Sequence, residues 1–282
     1  MKMFKPSDLQ EFLQSLGVHA KKALSQNFLI DGNIINKMVK TANLTDDDVV
    51  LEIGPGPGAL TQALLAAGST VLAVEKDNIF SAALPRLDEG GNRLKVYNDD
   101  IMTFPIEQRL SELLKPGQKA KVVANLPYHL TTPILSKLIR LGDCISYIQV
   151  MVQEEVGRRM AAKPGNKEYG SLTVYLAYYT QVSYAFGVSR NCFHPKPKVD
   201  SAVVCLQPRE KPSVSSEERF FLLTRGAFGQ RRKALRSSLR KLYPPELVEN
   251  ALKCMGKKPL TRPEELSLSD FVQLFTLCEN PL

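Results

Sequence analysis

Four short runs rich in Val, Leu, Ile and Ala punctuate the first half of the chain, at residues 49–53, 70–74, 94–98 and 121–124. Each gives way at once to a glycine, an acid or an amide. Between the first two, residues 59–67 read as a helix, and this strand, helix, strand succession predicts an α/β fold on a doubly wound sheet. Upstream, residues 7–16 have the spacing of an amphipathic helix, with Ser7 and Gln10 placed as a capping box. Downstream, residues 201–206 are strand-like and residues 207–216 are polar with two prolines, while the chain from Glu217 onward is helical in pattern. The division that follows is one α/β domain over 1–207 and a small helical lobe over 208–282.

The residues that end the runs carry the chemistry. After the first comes Gly54-Pro-Gly56-Pro-Gly58. Glycines without Cβ let the main chain press against a ligand, and the helix that follows offers free N–H groups. Glu75 ends the second run, roughly 20 residues on, where a doubly wound sheet places the carboxylate that accepts ribose hydroxyls. Asp99 and Asp100 end the third, and Asn125-Leu126-Pro127-Tyr128 ends the fourth. Ligands of open α/β sheets sit at this strand edge, so Gly54, Glu75, Asp100 and Asn125 are expected to line one crevice. The spacing G-x-G-x-G, stiffened by Pro55 and Pro57, suits a nucleoside better than a pyrophosphate, which ranks a dinucleotide oxidoreductase second.

The net charge of +8 suggests a polyanionic partner. From Arg225 to Lys241 there are seven basic residues and no acid. Read as one helix, this stretch puts Phe228, Leu235, Leu239 and Leu242 in one arc and Arg232, Lys233, Arg236 and Arg240 beside it, an apolar docking stripe next to a basic face for RNA phosphate. The five cysteines are scattered, without a C-x-x-C pair, which fits a reduced, cytoplasmic protein and argues against zinc. His19, His129 and His194 have no ligand spacing, so no metal is expected. No apolar run approaches the ~20 residues of a membrane span, and no secretory leader is evident.

At these residues the chain resembles the class I S-adenosylmethionine-dependent methyltransferases, and within them the rRNA adenine N6,N6-dimethyltransferases. The resemblance is carried by Leu24-Ser-Gln-Asn-Phe-Leu-Ile-Asp31, Glu52-Ile-Gly-Pro-Gly-Pro-Gly58, Glu75, Asn125-Leu-Pro-Tyr128, Phe193-His-Pro-Lys-Pro-Lys-Val-Asp-Ser201 and Phe228-Gly-Gln-Arg-Arg-Lys233. Ala23-Leu24-Ser25 departs from the Arg-Phe-Gly common in the family. The Gly-Gln-Arg-Arg-Lys element and the tail after it are more similar to the housekeeping small-subunit enzymes than to the macrolide-resistance ones.

The resemblance implies a Rossmann-like methyltransferase sheet that binds S-adenosyl-L-methionine. It implies dimethylation of two adjacent adenosines in a hairpin loop near the 3′ end of small-subunit rRNA, in a pre-30S particle, by a monomer. It assigns Glu75 to the ribose, Asp100 to the adenine amino group, Gly54 with Gly56 to the cofactor's methionine end and loop, and Asn27 with Leu29 to a flap. Asn125 with a carbonyl of Leu126 or Pro127 would hold the two N6 hydrogens, and Tyr128 and Phe193 would wall the flipped base. Arg231, Arg232, Lys233, Arg236 and Arg240 would dock RNA. A non-enzymatic assembly factor on the same fold is the other alternative.

Overall fold

The strand-like runs of the first half become neighbours in one sheet. The computed structural model describes residues 6–17, 27–230 and 232–280. In chain order these form α1 (Pro6–Ser15), β1 (Phe28–Leu29), α2 (Gly32–Ala42), β2 (Val49–Ile53), α3 (Ala59–Ala66), β3 (Thr70–Glu75), α4 (Asn78–Ala83), β4 (Leu94–Asn98), α5 (Ile106–Ser111), β5 (Ala120–Asn125) and α6 (Thr131–Leu138). There follow β6 (Ile145–Gln153), α7 (Glu154–Met160), α8 (Ser171–Tyr179), β7 (Thr180–Val188), β8 (Phe193–His194), β9 (Ser201–Pro208), α9 (Glu217–Phe228), α10 (Leu235–Ser238), α11 (Pro245–Cys254) and α12 (Leu268–Glu279).

The seven-stranded sheet runs β4-β3-β2-β5-β6-β9-β7. Strands β2 to β6 are parallel and β9 runs antiparallel to β6. All five residues of β2 are buried, as expected of a parallel strand covered on both faces. The winding reverses at β2, which pairs with β3 on one side and β5 on the other. A crevice opens at such a switch point, beyond the C-terminal strand ends, and Gly54, Glu75, Asp99 and the segment after Asn125 all leave the sheet there. Separately, β1 and β8 form a two-stranded antiparallel ribbon, with Leu29 opposite Phe193 and Phe28 opposite His194.

The chain divides into two compact units: Met1–Gly157 with Ser183–Pro208, and Arg158–Val182 with Arg209–Leu282. A single cut after residue 207 therefore misses that residues 158–182 belong with the helical lobe. The reason is aromatic. Tyr178 of α8 lies 5.3 Å, ring to ring, from Phe220 and 5.1 Å from Phe221 of α9, and Phe220 lies 5.7 Å from Phe275 of α12. Tyr178 is nearly fully buried, so α8 supplies the lobe's core.

α1 begins at Pro6, a residue suited to a helix's first turn. Ser7 lies inside the helix and its hydroxyl donates to Asp8 Oδ1 at 3.2 Å, so the expected capping box is not formed. Among the described residues no helix is long and apolar enough to cross a membrane, and no group of His, Cys, Asp and Glu could hold a metal ion. All five cysteines are free.

Gly58 opens α3 at φ 90°, and a Cβ there would stand 2.5 Å from Leu87 Cδ1 and 2.9 Å from Leu84 Cδ2. Gly58→Ala is therefore expected to lose about 2–3 kcal/mol through backbone strain and overpacking together. Urea unfolding of the two proteins would measure this as a lower midpoint at unchanged slope.

Candidate active site

The site is assembled where β2 and β3 end side by side. Gly54, Gly56 and Gly58 all have positive φ, at 65°, 56° and 90°. Gly54 N–H donates to Val74 O at 2.9 Å, which ties the loop's start to β3. The next tie is Glu75, whose Oε2 accepts from Gly56 N–H and Oε1 from Asp77 N–H, both at 2.8 Å. Burial pushes this carboxyl's pKa up, while the Asp77 and Gly56 N–H groups draw it back. Each oxygen retains a lone pair beyond these bonds, so a pair of hydroxyls can still be accepted. The loop is braced from outside by Arg86, whose Nη2 donates to Pro57 O at 2.7 Å while its guanidinium stacks 3.9 Å above the Phe12 ring of α1.

Asp100 follows β4. Its Oδ2 pairs with Lys76 at 2.8 Å and its Oδ1 accepts from Met102 N–H at 2.9 Å. The Lys76 bond holds its carboxyl below the usual carboxylate range. Lys137 on α6 then clamps the turn from beneath, its ammonium donating to the carbonyls of Ile101, Met102 and Phe104 at 2.8, 3.1 and 2.7 Å. All three of its protons are used. No motif marks Lys137; its role emerges only when α6 packs under the turn.

Asn125 ends β5, and its Nδ2 donates to Asn27 O at 3.3 Å. That bond fixes the amide and leaves Oδ1 as an acceptor. The Pro127 carbonyl accepts from Leu130 N–H at 3.0 Å. Tyr128 follows in a short 3-10 turn, its hydroxyl 2.7 Å from Ser201 Oγ. Burial raises the Tyr128 pKa and the Ser201 bond lowers it. The flap residues reach the same place by packing. Phe28 meets Phe80 edge to face at 5.4 Å, and a Cβ on Gly56 would stand 3.3 Å from the Phe28 ring.

Asn27, Leu29, Gly54, Gly56, Glu75, Asp100, Asn125, Leu126, Pro127 and Tyr128 thus line one cleft. Phe193 does not. It is 3% exposed, opposite Leu29, in the apolar core behind the ribbon. Burial of the whole ring against Leu29 stabilises the ribbon more than an exposed wall position would.

The cleft also contains a residue whose chemistry the motif did not announce. Glu52, inside β2, lines it at 1% exposure, and its Oε2 has no hydrogen-bond partner. Burial pushes its carboxyl from 4.5 up to about 8; Thr61 draws it back and the charge of Glu75 adds to the rise.

The basic stretch of the second unit differs from the single helix its periodicity suggests. α9 stops at Phe228, and Gly229 and Gln230 begin a turn that Lys233 N–H closes onto Gln230 O at 2.9 Å. Leu235 N–H then bonds Thr261 O at 2.9 Å as α10 begins. Leu235 and Leu239 are fully buried, but Leu242 is 36% exposed. Arg236 pairs with Glu249 of α11 and so is not a free cation. Arg232, Lys233 and Arg240 are exposed. Arg231 lies outside the described residues, as do Leu24 to Gln26 of the upstream motif.

The Glu52 proton has a consequence for stability. An acid whose folded pKa lies above its unfolded one stabilises the fold below the unfolded value, and that stability is lost as pH rises through the folded value. Glu52→Gln, which cannot ionise, is expected to gain on wild type by roughly 3 kcal/mol between pH 5 and pH 8. Denaturant titrations at the two pH values would measure the gain.

The chain is similar to known proteins. The description of the ribosomal RNA adenine dimethylase family matches residues 17–279. Ribosomal RNA small subunit methyltransferase A of Protochlamydia amoebophila is 50% identical over 275 residues, covering 98% of this chain and 97% of the relative. The protein of that name from Chlamydia trachomatis is 46% identical over 279 residues, covering 96% and 97%. Among solved structures, the 23S rRNA methyltransferase ErmE superposes with a TM-score of 0.70 at 27% identity, covering 90% of this chain and 100% of that one. A dimethyladenosine transferase from Plasmodium falciparum gives 0.69 at 26% identity, covering 86% and 94%. These matches set aside the dinucleotide oxidoreductase and the non-enzymatic factor: the chain belongs to the ribosomal RNA adenine dimethylase family.

Proposed function

We propose that this protein dimethylates N6 of two adjacent adenosines in a hairpin loop near the 3′ end of small-subunit rRNA, acting on a pre-30S particle as a cytoplasmic monomer. The observation that carries the reading is the state of Asn125. Its Nδ2 donates to Asn27 O, which leaves Oδ1 as one acceptor, and a carbonyl of Leu126 or Pro127 in the same cleft lining would be the second. Two acceptors match the two hydrogens of an exocyclic amine. Adenine N6 is a poor nucleophile because its lone pair is delocalised into the ring; accepting both hydrogens favours a tetrahedral nitrogen with its lone pair free to attack. No base is needed before attack. The Tyr128 ring offers a face for the base, which must leave its stack, at less cost in a loop than in a duplex.

The cleft fits S-adenosylmethionine, the methyl donor of this family, which supplies an electrophilic methyl on a sulfonium. Gly54 has nothing within 4 Å of where a Cβ would stand, which leaves its backbone open to the methionine end. Glu75 would accept the ribose hydroxyls and Asp100 the adenine amino group, with Asn27 and Leu29 covering the site. The unpartnered Glu52 Oε2 leaves one more polar atom in the lining for a ligand to meet. RNA docking is assigned to Arg232, Lys233 and Arg240, with Arg231 beside them in sequence.

Mass mapping of rRNA from cells lacking the protein should find two adjacent adenosines unmethylated near the small-subunit 3′ end. An unchanged methylation pattern would overturn the reading. Glu75→Ala should weaken S-adenosylmethionine binding by ~2–3 kcal/mol in calorimetry, because it removes a charged acceptor and unties the glycine loop. Asn125→Ala should slow single-turnover methyl transfer roughly 100-fold, with cofactor affinity nearly kept. Replacing Arg232, Lys233 and Arg240 together by Gln should weaken binding to small-subunit particles and lower the salt slope by roughly 2–3, with cofactor affinity unchanged.

A further inference from the structure

The Phe193 to Ser201 segment contributes something other than an aromatic wall. Tyr128 lines the cleft, yet its hydroxyl is engaged away from it, 2.7 Å from the Oγ of Ser201, a residue with no exposed surface and no place in the cleft lining. Ser201 is also among the best fixed points available. It opens β9 in register with Gln153 of β6, and Glu154 N–H donates to the preceding Asp200 carbonyl at 3.0 Å. The Asp200 carboxylate in turn accepts from Arg190 N–H at 2.9 Å. The Tyr128 hydroxyl oxygen lies on the long axis of its ring, so a bond there holds the swing of that axis about χ1. A ring held only by its Cβ would rock, and one tied at its far end to a strand cannot.

We propose that Ser201 is a positioning residue for methyl transfer: it fixes the direction of the Tyr128 ring's long axis, and so the place where the ring meets the target adenine. The proposal rests on the adenine reading above and goes beyond it by giving the Tyr128 hydroxyl a task apart from the substrate. The hydroxyl works through Ser201 and touches no reacting atom.

The test is a double-mutant cycle on the full chain with unmethylated small-subunit particles and labelled S-adenosylmethionine, reading the single-turnover rate, the cofactor affinity and the melting temperature of each variant. Tyr128→Phe and Ser201→Ala should each slow transfer by about 3- to 10-fold, the worth of one hydrogen bond. The double variant should be no slower than either single one, and cofactor affinity should hold throughout. Stability should behave differently. Tyr128→Phe leaves the buried Ser201 hydroxyl unpaired, and the double variant, with both partners apolar, should regain melting temperature without regaining rate.

Additive losses of rate would overturn the proposal, as would a rate that recovers together with stability, which is the mark of a purely structural bond. A Tyr128→Phe loss far beyond that of Ser201→Ala would also overturn it, by placing the hydroxyl on the substrate. A wild-type protein that transfers no methyl to adenine under the same conditions would overturn the underlying reading, and the proposal with it.

Discussion

The site depends on one carboxylate. Glu75 stands at the end of β3 and spends one lone pair of each oxygen on backbone N–H groups, one from the glycine loop and one from the start of α4. Hydrogen bonds to an ionised acceptor are roughly twice as strong as neutral ones, and these two join three pieces of chain: the loop after β2, the end of β3 and the turn into α4. With the loop fixed, Gly56 presents a surface without Cβ, and the Phe28 ring settles on it. With Phe28 seated, Asn27 brings its carbonyl to the Asn125 amide. The flap and the amide therefore take their places from a bond between β3 and a glycine more than fifty residues earlier than Asn125.

Much of this was legible in the sequence because the parts that matter are local. An apolar run ending in glycine, acid or amide reports both a strand and the edge it reaches, and a parallel sheet then brings such edges together whatever the intervening chain does. Glu75, Asp100 and Asn125 were readable on that basis. What could not be read was long-range side-chain pairing. Lys137 looks like any polar position of an amphipathic helix until three carbonyls of another loop are placed over it. Glu52 reads as part of a motif, and its burial without a partner for Oε2 is a property of the packed sheet.

The errors have the same origin. Periodicity alone continued a helix through residues 229–234, because Gly229 and Gln230 do not forbid one; the turn is favoured instead by the bond from Leu235 to Thr261, a residue far along the chain. Arg236 seemed free because Glu249 lies on a later helix. Phe193 was expected to wall the pocket because Pro195 and Pro197 follow it, whereas pairing with Leu29 carries it into the core.

The aromatic core of the helical unit bears on how the protein is made. Tyr178 and Tyr179 leave the ribosome some forty residues ahead of Phe220 and Phe221, the rings that cover them. The sheet is likewise incomplete until β9 arrives between β6 and β7. Because the chain passes from one unit to the other after residues 157, 182 and 208, neither can close before the chain is well beyond two thirds synthesised, and α8 must wait as an uncovered apolar face. Such a face is where a nascent chain aggregates or meets a chaperone. For the same reason a fragment ending at residue 207 would not be an isolated catalytic unit; it would be that unfinished intermediate, made permanent.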